Sequence, residues 1–359
     1  MENTQFIDFG SDAEVYDYYM KTGRKVVIFK SVVYDVENYM PTHPGGEDYI
    51  ENELGKAIDA PFEEAEHTKS ALKIFLNLPV VGKVKEVDST SCTDSEKDKK
   101  ASANSLQALY GLELNSRIEF DYTKSFFTQI WNTDWTYEEY YRYINEPKHL
   151  VNPIRSLRIF DSDFLEFCSL ASYQFLVCCW APTVLYHIFT SPRDFWHCAF
   201  YFTCGALWWT LQEYLLHRFL FHMEDYFYFP RHPKFYAIHF LVHGIHHAFP
   251  QDPMRIVMPP FLGHLIYVFT IRAPWSILLN YEQIQPFMTG LLIAYLFYDL
   301  MHYFCHQSSP KDGTYMKDMK MYHMQHHYKN GTVGFGVSSK FWDHVFNTAV
   351  SSDKYNKQE

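Results

Sequence analysis

The sequence has no surplus of positive charge. Lys and Arg number 31 against 42 Asp and Glu, a formal net charge of −11 over 359 residues, which argues against a nucleic-acid partner. The deficit is uneven: residues 1–86 hold sixteen acids and nine bases, net −7, and leave −4 for the rest. An acidic small domain suits docking with a basic partner, and equally a solvated surface. Material for a disulfide framework is also missing. The seven cysteines are odd in number, and Cys168, Cys178, Cys179, Cys198, Cys204 and Cys305 sit in apolar runs, the habit of buried thiols. The first thirty residues contain no apolar core, which predicts no cleavable signal peptide and an N-terminus that stays in the cytosol.

What the chain does have is aromatic residues, 19% of the total, concentrated after residue 160. Four long apolar segments lie there, near 164–189, 196–216, 256–271 and 286–305. Each approaches the roughly 20 residues a helix needs to cross a hydrocarbon core. The third is the shortest and carries Pro259 and Pro260, the weakest of the four. A mean hydropathy of −0.26 does not conflict, because the polar first half dilutes it. Residues 161–359 therefore read as an all-α integral membrane domain of about four transmembrane helices. If all four span, residues 217–255 share one side with both ends of the chain. That side carries Arg218, Arg231, Lys234, Arg255, Lys311, Lys317 and Lys320 against Arg193 and Arg272 on the other, which places it in the cytosol.

The first half is of another kind. Residues 1–86 read as a compact α+β unit: "KVVIFKSVVYDVENY" alternates like short strands, and "AIDAPFEEAEHTKSALKIFL" has helical spacing. Residues 87–104, "VDSTSCTDSEKDKKASAN", are small and polar and read as a disordered linker. Residues 105–160, rich in Trp and Tyr, read as short helices lying against a membrane surface or a second domain.

Two clusters carry chemistry. In "THPGGEDYI" a histidine precedes Pro-Gly-Gly, which lets the backbone turn sharply beside a flat ligand. His67 follows His43 by twenty-four residues. Two histidines on opposing elements can clamp a haem iron from both faces, which leaves electron transfer as its one task. The stretch "VYDVENYMPTHPGGEDYI" with His67 resembles the cytochrome b5 family over about residues 8–86. The resemblance implies haem b with His43 and His67 as axial ligands.

The second cluster comprises "HRFLFH" (His217, His222), "HGIHH" (His243, His246, His247), "HYFCH" (His302, His306) and "HMQHH" (His323, His326, His327). A lone histidine reads as structural; ten at this spacing do not. Positions i, i+3 and i+4 share a helical face, so each HxxHH triplet is expected to aim its rings one way. His217 and His222 are five apart, so their helix should end or distort there. Ten imidazoles over two metals give five each and leave one octahedral position open, unlike the closed four-ligand shell of structural zinc. A redox metal with an open position suits oxygen activation, and a haem unit would feed it electrons. No carboxylate lies within the boxes, so a carboxylate-bridged pair of ions is not expected. Glu213, Asp299 and Asp343 are candidate supports that would accept the outer N–H of metal-bound rings. His239 reads as structural or as such a support; His149, His187, His197, His232 and His264 read as structural.

The order HxxxxH, HxxHH, HxxxH, HxxHH, with "SSKFWDHVFNT" near the end, resembles the membrane fatty acid hydroxylase superfamily from about residue 160 onward. Together with the haem unit it resembles the 2-hydroxylases of that superfamily. This implies a di-iron monooxygenase of the endoplasmic reticulum, its histidine boxes in a helical cap facing the cytosol. Such an enzyme uses O2 and electrons from a cytochrome b5 reductase-type donor to hydroxylate C2 of fatty acyl chains. Its lipid substrate would be a free fatty acid, an acyl-CoA or a ceramide. Zinc, which such sites bind more tightly, is expected to replace iron in some preparations. An acyl desaturase is the nearest alternative, but desaturases usually show three boxes. A sterol oxidase does not account for the haem unit, and a metal transporter would place its ligands near the bilayer midplane.

Overall fold

The computed structural model describes residues 6–65, 67, 69–85, 118, 120–148, 150 and 156–350. The expected linker over 87–104 and His149 lie outside these. The chain divides into two compact units, Met1–Glu119 and Phe120–Glu359.

The first unit is built on a four-stranded sheet. Strands β1 (Ile7–Phe9), β2 (Val26–Phe29), β3 (Val32–Asp35) and β4 (Val80–Val84) lie in the order β1-β4-β3-β2, with β1 parallel to β4 and the other pairs antiparallel. All four residues of β2 are buried, because alternate side chains enter different cores. Val26 and Ile28 join Phe9, Val15 and Val81 on one face; Val27 and Phe29 join Tyr34, Leu72 and Phe75 on the other. Lys30 and Ser31 connect β2 to β3 at φ 47° and 61°, the pair of positive angles that a two-residue hairpin matched to strand twist requires. Between β3 and β4 the chain forms short helices at Met40–Thr42, Glu47–Glu51, Asp59–Glu64 and Lys69–Leu76. His43 caps the first of these, and His67 lies between the last two.

The second unit is helical. Its centre is the 27-residue helix Tyr281–Gln307, started by a reciprocal Asn280–Gln283 capping box and buried along most of its length. It packs against Phe195–Leu215 and Tyr173–Thr190. The first contact is a close one. A Cβ added at Gly205 would lie 2.0 Å from the Phe287 carbonyl oxygen, and one at Gly290 would lie 2.0 Å from that of Phe202. Each glycine thus admits the other helix's backbone, the small-residue packing that helices use where no water drives them together.

By length and composition, Pro260–Leu278 and Tyr281–Gln307 are apolar enough to cross a membrane. Asp163–Ser169 and Tyr173–Thr190 qualify only as one broken span, bent by 77°. Four spans were expected, and two or three meet the requirement. Phe195–Leu215 has the length, but Trp196, Trp208, Trp209, His197, Gln212 and Glu213 dilute its apolar character. Pro259 and Pro260 do not shorten the third segment. The helix starts at Pro260, where a missing N–H costs nothing, and passes through a π segment at Tyr267–Arg272. All six described cysteines are free.

Candidate metal centres

The ten box histidines converge as two groups of five. His217, His222, His243, His247 and His326 form one; His246, His302, His306, His323 and His327 form the other. Within each, the candidate ligand atoms all lie within 4.8 Å of one another, and every ring is buried. The distorted turn expected between His217 and His222 is a π segment, Leu216–Phe221, closed by a hydrogen bond from His222 N to His217 O at 3.1 Å. A π turn places residues five apart on one face. The triplets do not aim all three rings one way. On the regular helix Tyr315–Tyr328, His323 and His327 serve one group and His326 the other. Position i+4 is displaced about 40° to one side of i and i+3 about 60° to the other, so a triplet straddles two centres.

The hydrogen bonds fix which nitrogen is free. His217 Nδ1 donates to the Phe335 carbonyl at 2.6 Å, His326 Nδ1 to that of Val333 at 2.8 Å, and His222 Nδ1 to Glu224 Oε1 at 3.1 Å. With the proton on Nδ1, each Nε2 holds a lone pair. His222 Nε2 nevertheless lies 3.0 Å from His326 Nε2, and His323 Nε2 lies 3.0 Å from the Nε2 atoms of both His306 and His327. For His222 and His326, whose protons are on Nδ1, two lone pairs at that distance repel unless a cation lies between them. Adjacent ligands about 2.1 Å from one ion stand about 3.0 Å apart. Burial, reinforced by the neighbouring imidazoles, pushes His217, His243, His247, His323 and His327 well below the ordinary histidine value. The rings stay neutral and able to ligate.

In the first unit, His43 Nδ1 donates to Gly46 O at 2.8 Å and His67 Nδ1 to Phe62 O at 2.9 Å. Gly46 sits at φ 123°, a region open in practice to glycine alone. The two rings have centroids 6.3 Å apart, and two metal–imidazole bonds of about 2 Å plus two ring radii span roughly 6 Å. The pair therefore fits an iron held between its Nε2 atoms. Phe62 stacks on His67 at 4.1 Å and fixes that ring's plane.

Comparison with known proteins agrees with both halves. Residues 11–85 match the cytochrome b5-like heme/steroid binding domain, and residues 202–348 match the fatty acid hydroxylase family. A ceramide very long chain fatty acid hydroxylase of Saccharomyces cerevisiae is 32% identical over 349 residues, covering 89% of each chain. The chain belongs to the fatty acid hydroxylase family. The fatty acid 2-hydroxylase of Homo sapiens is 28% identical over 91% of each chain. A dihydroceramide fatty acyl 2-hydroxylase of Arabidopsis thaliana is 35% identical over 214 residues, 59% of this chain and 86% of its own. A solved structure titled full-length scs7p, with only its hydroxylase domain visible, superposes with a TM-score of 0.60 at 33% identity, covering 75% of this chain and 96% of that one.

Among the described residues of this hydroxylase, the carboxylate hydrogen-bonded to a box histidine is Glu224, and the three expected carboxylates lie farther out. Glu213 accepts from Ser338 Oγ at 2.5 Å, and Asp299 from Met258 N at 3.4 Å. Asp343 accepts from Phe335 N at 3.0 Å, Gly336 N at 2.8 Å and Thr348 Oγ1 at 2.7 Å. It thereby holds the segment whose Phe335 carbonyl holds His217. Three or four residues along a helix is the right spacing for two side chains to meet. Glu213 and Asp299 instead accept from backbone and hydroxyl donors of other segments. Glu224 was legible two residues after His222 in "HRFLFHMED"; the carbonyls of Phe335 and Val333 carry no such signal. His239, outside the boxes, lies 2.8 Å from Glu224 Oε2, donates from Nε2 to Phe221 O at 2.7 Å and meets the Tyr140 hydroxyl at 2.6 Å. Burial alone would raise the Glu224 carboxyl, but His239 and His222 outweigh it and hold it well below the usual range. His187, His197, His232 and His264 bond to Gln285, Glu282 O, Lys234 N and Pro260 O, away from both groups.

Proposed function

We propose that this protein is a membrane di-iron monooxygenase that hydroxylates C2 of long fatty acyl chains, with ceramides of the sphingolipids as the lipid class. The observation that carries the reading is the pair of buried five-imidazole groups in a chain whose relatives bear the names fatty acid 2-hydroxylase and ceramide fatty acid hydroxylase. Two iron ions bound there would supply O2 activation for C–H hydroxylation. The balance is one oxygen atom into the substrate and one into water, with two electrons and two protons consumed. Electrons would enter through haem b held by His43 and His67, from a cytochrome b5 reductase-type donor.

Position along the helices supports C2. His302 and His306 occupy the last two turns of Tyr281–Gln307, and His217 follows directly on Phe195–Leu215. The position of His302 and His306 at the end of the apolar helix Tyr281–Gln307 supports a location at a membrane boundary. The basic residues of the connecting segments favour the cytosolic face, consistent with the endoplasmic reticulum. A lipid head stays at such a boundary while its tail enters hydrocarbon, so the carbon beside the carbonyl is the one within reach. Holding it there is a positioning effect, and an ångström of displacement is costly. The apolar face of Pro260–Leu278, where Phe261, Phe269, Ile277 and Leu278 are exposed, offers hydrocarbon contact along the way.

The test is the position of the new oxygen. The chain is expressed in cells lacking their own 2-hydroxylase, and the acyl chains of their sphingolipids are fragmented by mass spectrometry. Hydroxyl at C2, abolished in His243→Ala and His323→Ala, is expected. A mid-chain hydroxyl would overturn the regiochemistry, and a new double bond would return the chain to the desaturases.

A further inference from the structure

Glu224 is 3% exposed and has no role in the groups described so far beyond one hydrogen bond. It follows the π turn by three residues, in the 3-10 helix Met223–Asp225. One of its oxygens accepts from His222 Nδ1 at 3.1 Å, and the other lies 2.8 Å from His239 Nε2. His239 is gripped in turn by the buried Tyr140 hydroxyl at 2.6 Å. That phenol belongs to Tyr137–Asn145, whose capping box Thr136–Glu139 sets its start, and its ring stacks on Tyr236 at 5.0 Å. It also presses on the helix that bears the second box: a Cβ at Gly244 would come within 2.8 Å of the Tyr140 oxygen. A run of three side chains thus leads from a helix far upstream in sequence to a single box histidine, all of it buried.

We infer that Glu224, braced by His239 and Tyr140, is a positioning residue that fixes the ring of His222 and so governs metal loading at one of the two centres and not the other. The selectivity follows from connectivity. His222 belongs to the group with His217, His243, His247 and His326. Among the described residues, no hydrogen bond or ion pair joins Glu224, His239 or Tyr140 to any of the other five histidines. The outer partner of a metal-bound imidazole sets its tautomer and orientation, and losing it typically costs 10- to 100-fold in metal affinity. Because one Glu224 oxygen faces His239, rotation of the carboxyl away from His222 would break a second buried contact. With Nδ1 directed at Glu224, His222 Nε2 lies 3.0 Å from His326 Nε2, turned toward the site.

The inference rests on the reading of the two histidine groups as metal sites, and metal counting separates the two. Full-length protein is purified, dialysed against chelators of graded strength and assayed for bound metal per chain, with elution volume and thermal unfolding reporting the fold. Wild-type protein should hold two ions, and Glu224→Ala should fall toward one, with 10- to 100-fold weaker binding of the ion it loses. Paired variants assign the site. Combined with His323→Ala, which damages the other centre, Glu224→Ala should leave almost no metal; combined with His217→Ala it should remove little more. Glu224→Gln, which keeps an acceptor for His222 Nδ1, should recover part of the loss. If Glu224→Ala does not fold, Tyr140→Phe removes one hydroxyl from the far end, and a several-fold weakening at a single site is expected. Equal loss from both centres, or wild-type affinity in Tyr140→Phe and Glu224→Ala alike, would overturn the inference. Wild-type protein without metal would instead remove the reading on which it stands.

Discussion

A histidine that gives one nitrogen to a metal must dispose of the other, and in this protein the second nitrogen decides the arrangement. Backbone carbonyls of Phe335, Val333, Gly46 and Phe62 take that proton for His217, His326, His43 and His67. His222 alone of these uses a side chain. This is why the ten ligand candidates were legible in the sequence while their orienting partners were not: every residue carries a carbonyl, and only the fold selects one. The haem pair provides the residue-scale prediction. His67→Ala in the full-length chain removes one of two rings poised 6.3 Å apart, so the spectrum of a six-coordinate bis-histidine haem should disappear. The metal count of the hydroxylase unit should not change, since none of the ten box histidines lies in Met1–Glu119. A normal six-coordinate spectrum in that variant would refute the axial pair.

At the scale of elements, periodicity marked short strands and long apolar helices, and the five-residue spacing of His217 and His222 marked a distortion between them, but not the form it takes. The β2–β3 hairpin and the helices after residue 160 follow from alternation and apolar length. The π form of the turn at Leu216–Phe221 is not read from local propensity; it brings His217 and His222, five residues apart, into one buried group. The bend of 77° before Tyr173 is similarly hidden. It is held by tertiary bonds from Arg255 to Ser169 O at 2.9 Å and to the Glu166 carboxylate. The contact of Phe195–Leu215 with Tyr281–Gln307 is equally tertiary, and it leaves no room for a side chain at either glycine. Gly290→Ala would put a methyl group 2.0 Å from the Phe202 oxygen, so the helices must part. A loss of about 1–3 kcal/mol is expected from such overpacking, read as a lowered unfolding midpoint in detergent. Gly205 abuts Phe287 on the same contact, so Gly205→Ala with Gly290→Ala should cost less than the two single losses added together. Full additivity would show that the two glycines do not share one interface.

At the scale of the molecule, the chain joins two units with separate cores, each built around its own histidines. The haem unit is held by the two apolar clusters flanking β2, and the hydroxylase unit by the cluster around Tyr281–Gln307. If the first exists to deliver electrons to the second, the covalent link is a matter of concentration and not of chemistry. A tether replaces a bimolecular encounter by an effective concentration on the order of millimolar. A full-length His67→Ala protein should therefore hold its metals, bind substrate and fail to turn over with a reductase. Addition of separate haem-loaded protein comprising residues 1–119 should restore 2-hydroxylation in a saturable manner. Half-maximal rate would then need far more of the added unit than of the hydroxylase. A requirement that rises with added salt would show that the acidic haem unit, net −7 within residues 1–86, meets a basic surface, because ions screen such an encounter. Full activity of His67→Ala without the added unit would show that electrons reach the hydroxylase by another route. No rescue at any concentration of an intact, reducible haem unit would show that the link itself, and not proximity alone, is required for transfer.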